Sequence, residues 1–437
     1  MPDIIVASLI GSLFGILVGA MPGVNMTVAM VLSLPLLTQQ PLELVLGFYL
    51  SVLVVCQYMG SVIALGIGVP GEANSVPALS ERPNIQHTGN LGLAIKHTAT
   101  GSLVGSIVSV ALLLICWPLF KGLMYFWQTE VKVAVLTLIV LVLIFWSNNR
   151  ILINGVLLLI GLSLGHMGVD PMTNESWVPF GIDWLSHGIP FLGVVIMIYA
   201  LPLLWSGTAK SADVTAVSSK DRSASVLFPW PSAIRGSAVG FLAGFIPALS
   251  YSISSKIAWL VEKSRYSTTQ DSDSIRRLVS AESANNAAAL SALIPLVLFG
   301  IPLVASEVVL YNMLTAQGFH LGATAVDEHL IWSLAASFMI ANLVGFLAAW
   351  PLARPVTDIV DCHQSKIRIM VTVILLGIFI HEGWSLMQGS IYAIVGLVLC
   401  GLGWMLRRYD TQPVIFGFIM SDFIAHTASL VMQKYSF

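Results

Sequence analysis

Charge is what this chain has least of. Only 10% of its 437 residues are Asp, Glu, Lys or Arg, and a net charge of −2 leaves no basic excess for a nucleic-acid partner. Cysteine is equally sparse. Cys56, Cys116, Cys362 and Cys400 stand apart in apolar segments without CxxC spacing, which argues against a disulfide framework or a cysteine metal site. His381-Glu382 lacks the second histidine of HExxH, because the fifth position is Ser385, and His87, His97 and His426 have no metal spacing. No GxGD motif and no serine–lysine dyad occurs in matching segments, so an intramembrane enzyme is disfavoured and no catalytic residue is assigned. The opening residues lack the charged n-region and small-residue cleavage site of a secretory signal, so residues 3–20 are expected to remain as a membrane segment.

What the chain has instead is apolar length. Hydrophobic residues make up 57% of it, and windows of about 17 to 25 apolar residues recur throughout, the length that crosses a bilayer core. This predicts an all-α polytopic membrane protein. The long apolar stretch 3–38 is interrupted at Gly15-x3-Gly19-x2-Pro22-Gly23-Val24-Asn25, where proline and glycine should break the helix. A crossing is expected at 42–59, followed from Gly60-Ser61 through Gly68-Val69-Pro70-Gly71-Glu72-Ala73-Asn74-Ser75 by a re-entrant hairpin. Four more crossings are expected at 91–118, 133–147, 151–168 and 185–205, and then the hydrophilic linker 206–230.

Beyond the linker the order restarts. Gly240-x3-Gly244-x2-Pro247 repeats the first break, Gly300-Ile301-Pro302 repeats Gly68-Val69-Pro70, and four apolar segments follow at 328–352, 368–384, 388–406 and 413–433. The chain therefore divides into a first transmembrane repeat, 1–205, and a second, 231–437. Interrupted helices at matching positions of two halves point to a transporter's substrate site. If each break returns to its own side, each repeat contributes an odd number of crossings and the repeats are inverted. With the linker cytoplasmic, only Lys121, Lys132 and Lys434 among the basic residues fall outside, as the positive-inside rule asks.

The densest buried polarity is predicted in AESANNAAALSALIPLVLFGIPLVASE, residues 281–307. Glu282, Ser283, Asn285 and Asn286 inside an apolar run are costly unless they face protein or line a cavity. The bland alternative for the two amides is interhelical hydrogen bonding, and for Gly15-x3-Gly19 and Gly240-x3-Gly244 it is close helix packing. Glu72 could equally be a solvated side chain at a hairpin tip. No lysine or arginine lies within the breaks themselves, so backbone and hydroxyl groups are the expected anion donors, at helix N-termini where the dipole also favours an anion.

The GxxxGxxPG segment and GSxxxxxxxxPG hairpin of one half, paired with E-x-x-N-N-A and G-I-P in the other, resemble the TctA family, the large membrane subunit of tripartite tricarboxylate transporters. Against the family pattern the chain opens almost directly on its first break, and it reads Pro247-Ala248 and Pro302-Leu303 where the family commonly has glycine second. The resemblance implies uptake of small carboxylates across the bacterial inner membrane by an ion gradient, with a small membrane subunit and a periplasmic solute-binding protein as partners. Substrate contacts are then expected from Pro22, Gly23, Asn25, Thr27, Pro70, Gly71, Asn74, Ser75, Ser250, Tyr251 and Ser252. The coupling ion, sodium or proton, is expected at Glu282, Ser283, Asn285, Asn286, Gly300 and Pro302, with no other metal or cofactor. A rigid unit of about 1–80 and 231–320 would move against the later segments as an elevator, and a homodimer is compatible with this. The competing readings are a stand-alone carboxylate permease or exporter and, further off, a passive channel.

Overall fold

The computed structural model describes residues 2–69, 73–88, 90–125, 129–146, 149–169, 176–177, 185, 188–206, 227–246, 250–319, 321–322, 328–386 and 389–421. Pro70, Gly71, Glu72, Pro247, most of the linker and most of the 169–184 loop lie outside these residues, as do the side chains of Ser250 and Ser252.

The first half consists of α1 (Pro2–Gly19), α2 (Met26–Leu37), α3 (Leu42–Gly66), a 3-10 turn (Ala73–Ser75), α4 (Val76–Thr88), α5 (Leu91–Tyr125), α6 (Thr129–Trp146) and α7 (Ile151–Gly165). A two-residue antiparallel pairing of β1 (Gly168–Val169) with β2 (Ser176–Trp177) follows. The half closes with α8 (Phe191–Val194), a π-helical segment Val195–Ala200 and α9 (Leu201–Ser206). The second half holds α10 (Trp230–Ala243), α11 (Ser250–Arg265), α12 (Asp271–Phe299), α13 (Ala305–Ala316), α14 (Glu328–Leu386), α15 (Gly389–Leu406) and α16 (Gln412–Ser421). Four of these, within α3, α5, α12 and α14, are long and apolar enough to cross a membrane.

One element differs from expectation. The chain does not turn at Gly60: α3 runs on to Gly66, since Gly60 meets no close neighbour and the Ser61 hydroxyl bonds back to the Gln57 carbonyl within the helix. The helix stops only where Gly68 takes a left-handed φ of +77°. The crossings expected at 328–352 and 368–384 both lie in α14, as two helices that meet at a kink where His363 leaves helical backbone geometry (φ −122°, ψ 15°).

α3 and α12 form the centre. α3 is buried throughout its hydrophobic window and α12 nearly so. α1 lies on α3 through Gly11, Gly15 and Gly19, and α10 lies on α12 through Gly236, Gly240 and Gly244. A Cβ at Gly240 would come within 2.1 Å of the Ala284 carbonyl oxygen, so only glycine lets these backbones approach. α5 presses on α12 with Gly101 and Gly105, and α14 meets α3 with Gly345 against Tyr58. The outer faces expose Leu9, Leu13, Leu17, Ile115, Leu119, Leu152, Leu159, Val373 and Leu397. That apolar shell suits hydrocarbon rather than water.

Candidate functional site

The polar chemistry gathers where helices are interrupted. At the first interruption, Ala20–Asn25, Asn25 caps α2: its Oδ1 accepts from the Val28 amide at 3.1 Å, and its Nδ2 donates to the Tyr199 hydroxyl at 2.6 Å. Pro22 is buried, Gly23 takes φ +83° beside Leu204, and Thr27 is buried in the first turn of α2. Tyr199 belongs to the π-helical segment, a local widening often found at functional positions and invisible to hydropathy patterning.

The second interruption follows Gly66. Arg82 reaches back from α4 and donates through Nε to the Leu65 carbonyl at 2.8 Å and through Nη2 to that of Gly66 at 3.2 Å, lying over Gly68. A guanidinium therefore stands at the break, contrary to the expectation that no basic side chain does. It was overlooked because it is twelve or more residues further along and arrives by folding back. At the fourth interruption, Gly300 ends α12 in the left-handed region (φ +69°), with its own N–H bonded to Leu296 and that of Ile301 bonded to Pro295. Pro302 then prevents the helix from resuming at once. Glu307, three residues past the N-cap Val304, reaches back to accept from the Leu303 amide at 2.7 Å, and its other oxygen accepts from the Tyr251 hydroxyl at 3.4 Å. Glu307 is thus the acid of a helix cap, which also tethers the start of α11.

The structure brings Asn74 and Asn285 together. Asn74 Nδ2 donates to Asn285 Oδ1 at 3.2 Å, and the Asn74 carbonyl accepts from Ser255 at 3.1 Å, so the turn after the second break sits against α12 and α11. Ser75 is buried beside it. Asn286 donates to the Glu282 carbonyl at 3.3 Å, and Ser283 donates to those of Val279 and Ser280. Among the predicted residues, Asn74, Tyr251, Asn285 and the Gly300–Pro302 break are connected through α11, α12 and α13, whereas Asn25 is held on the far chain segment by Tyr199. Pro70 and Gly71 lie outside the described residues.

Two further clusters had no sequence signal. Tyr58 donates to Asn342 Oδ1 at 3.2 Å, and Ser106 donates to the same oxygen, joining α3, α5 and α14 inside the core. Glu81 of α4 receives Arg277 Nε and Nη2, each at 2.6 Å, and Trp259 Nε1 at 2.7 Å, while Arg277 Nη1 holds the Tyr266 and Thr268 carbonyls. Burial alone would raise the Glu81 pKa, but hydrogen bonds from Arg277, Trp259 and Ser274 outweigh it and hold the carboxyl below its ordinary value.

An arrangement of buried helix ends, amides and hydroxyls inside an apolar shell suits desolvated recognition of a small polar solute, and the class it defines is a multi-pass membrane transport protein. The tripartite tricarboxylate transporter TctA family matches residues 5–416, and the chain belongs to that family. An uncharacterized 52.8 kDa protein in the TAR-I ttuC' 3' region of Agrobacterium vitis is 25% identical over 415 residues, covering 91% of this chain and 80% of that protein. An uncharacterized protein in the TAR-II ttuC' 3' region of the same organism is 26% identical over 192 residues, covering 42% of this chain and 77% of that protein. No solved structure matches. The protein is accordingly a membrane component of the tripartite tricarboxylate transporter type.

Proposed function

We propose that this chain is a secondary-active importer of small di- and tricarboxylates in the bacterial inner membrane. Its coupling is to a sodium or proton gradient, and a periplasmic binding protein and a small membrane subunit deliver substrate to it. The observation that carries the reading is the Asn74–Asn285 contact, which joins the break of one half to the central helix of the other. A carboxylate inserted there would exchange its water for amide N–H groups and the N-terminal ends of α11 and α13.

Two inverted repeats related by a two-fold axis are supported by matching contacts. α1 touches α3 as α10 touches α12, α3 touches α14 as α12 touches α5, α1 touches α14 as α10 touches α5, and α2 touches α13 as α11 touches α4. Such a pairing makes inward- and outward-facing states near-equivalent, and the units carrying the breaks would slide against the outer helices as an elevator. The test is uptake into proteoliposomes holding this chain and the small subunit, supplied with binding protein and a panel of mono-, di- and tricarboxylates. Uptake of multivalent carboxylates that collapses with the cation gradient is expected. Gradient-insensitive flux would make it a channel instead, and full uptake without either partner would make it a stand-alone permease.

A further inference from the structure

The buried polar groups of α3 and α12 are satisfied unevenly. Asn285 is matched by Asn74, and Ser283 and Ser291 bond to carbonyls of their own helix. Glu282 Oε2, Asn286 Oδ1 and both amide atoms of Gln57 have no hydrogen-bond partner, although all three residues are at most 2% exposed. Buried polar atoms left without partners are rare and ask for a bound water or ion.

These residues lie on α3 and α12, which pack against each other. Glu282 and Asn286 are one turn apart on α12, and the Asn286 amide N–H donates to the Glu282 main-chain carbonyl, leaving its oxygen free. Gln57 and Ser61 are one turn apart on α3, and the Ser61 hydroxyl, whose proton goes to the Gln57 carbonyl, lies within reach of the Glu282 carboxyl. Tyr58 also lies near that carboxyl but gives its proton to Asn342. Among the described residues no cationic side chain pairs with Glu282. An isolated carboxylate in such a setting is very costly. A proton on Glu282 could satisfy one more acceptor and would leave the third empty. A dehydrated sodium ion accepts several oxygens at once, and the Gln57 amide can present its oxygen in either orientation.

We propose that Glu282 Oε2, Asn286 Oδ1 and Gln57 Oε1 hold a sodium ion between α3 and α12, one helix from each half, at a point separate from the Asn74–Asn285 contact. This deepens the carrier reading and rests on it for its physiological role. By linkage, sodium bound there and carboxylate bound at the neighbouring break tighten one another by the same factor.

The test uses the purified full chain without substrate. Thermal unfolding is followed as sodium chloride replaces choline chloride at constant ionic strength, and radioactive sodium binding is measured in parallel. Wild type should be stabilised by sodium and not by choline. Glu282→Gln and Gln57→Leu should each weaken apparent sodium affinity by about tenfold or more. Gln57→Leu also removes two unsatisfied buried atoms, so its stability without sodium should be unchanged or higher, an outcome that a purely structural glutamine would not give. Undiminished sodium binding in both variants overturns the site. A wild type that ignores sodium yet takes up carboxylate on a pH gradient also overturns it, while leaving the carrier standing. Sodium stabilisation lost in the variants, in a protein that moves no carboxylate, would support the site and sink the carrier reading.

Discussion

Glu81→Gln is the substitution whose cost can be worked most directly from the structure. The glutamine keeps the shape of the side chain but removes the charge facing Arg277, whose side chain is 4% exposed. It replaces one 2.6 Å acceptor with an NH2 group opposite a guanidinium N–H, so two donors confront each other where a charge-assisted bond stood. Removing one partner of a buried pair costs about 3–5 kcal/mol, because the other charge is left uncompensated. That is roughly 10²- to 10⁴-fold in the folding equilibrium. Glu81→Leu combined with Arg277→Met should recover much of the loss, since the cost lies in the orphaned charge more than in the missing attraction. The assay is thermal unfolding of detergent-purified protein for wild type, Glu81→Gln and the double variant. The pH dependence carries a definite sign. The Glu81 carboxyl is held below its ordinary value of 4.5 in the folded protein. Its stabilisation is therefore complete above that ordinary value and is lost as pH falls through the lowered one. The gap between wild type and Glu81→Gln should be constant near neutrality and close only in strongly acidic buffer. A single variant within about 0.5 kcal/mol of wild type at pH 7 would refute the reasoning.

Gly240→Val should prevent stable insertion, because its Cβ would lie 2.1 Å from a main-chain oxygen of α12, whereas Gly155→Val, with no neighbour within 4 Å, should express normally; fluorescence-detected gel filtration of both compares them. Asn25→Ala should cost about 0.5–2 kcal/mol through the lost cap of α2, and Tyr199→Phe less, since it leaves the Val28 bond in place; thermal unfolding ranks them, and equal costs would contradict the capping account. If the repeats are inverted, cysteines placed at 206–230 and at 169–184 will be labelled by an impermeant reagent from opposite sides of the membrane, and labelling from one side would exclude that arrangement.

Local chemistry was legible in the sequence and fold-back was not. Proline and glycine act where they stand, so the interruptions at Pro22 and at Gly300–Pro302 could be placed without knowing the fold. The buried amides of α12 were legible for the same reason, since polarity in an apolar run announces a partner. The identity of that partner was not: Asn74 is 211 positions from Asn285, Tyr58 is 284 from Asn342, and Glu81 is 196 from Arg277. Arg277 and Arg82 looked like surface charges that set orientation, yet both are buried and hydrogen-bonded. In α14 the gap expected between the crossings at 328–352 and 368–384 contains the kink, at His363. The glycine pairs of α1 and α10 proved to be packing faces, the plainer of their two readings.

A multivalent carboxylate is expected to be recognised at the meeting of the two halves around Asn74 and Asn285. Calorimetric titration of purified protein with a panel of di- and tricarboxylates, in sodium buffer, measures this without partners or gradients. The account predicts saturable binding in wild type that is lost in Asn74→Ala and in Asn285→Ala while Asn25→Ala retains it more fully, with all variants eluting as folded protein. Binding undisturbed by either of the first two substitutions would contradict it.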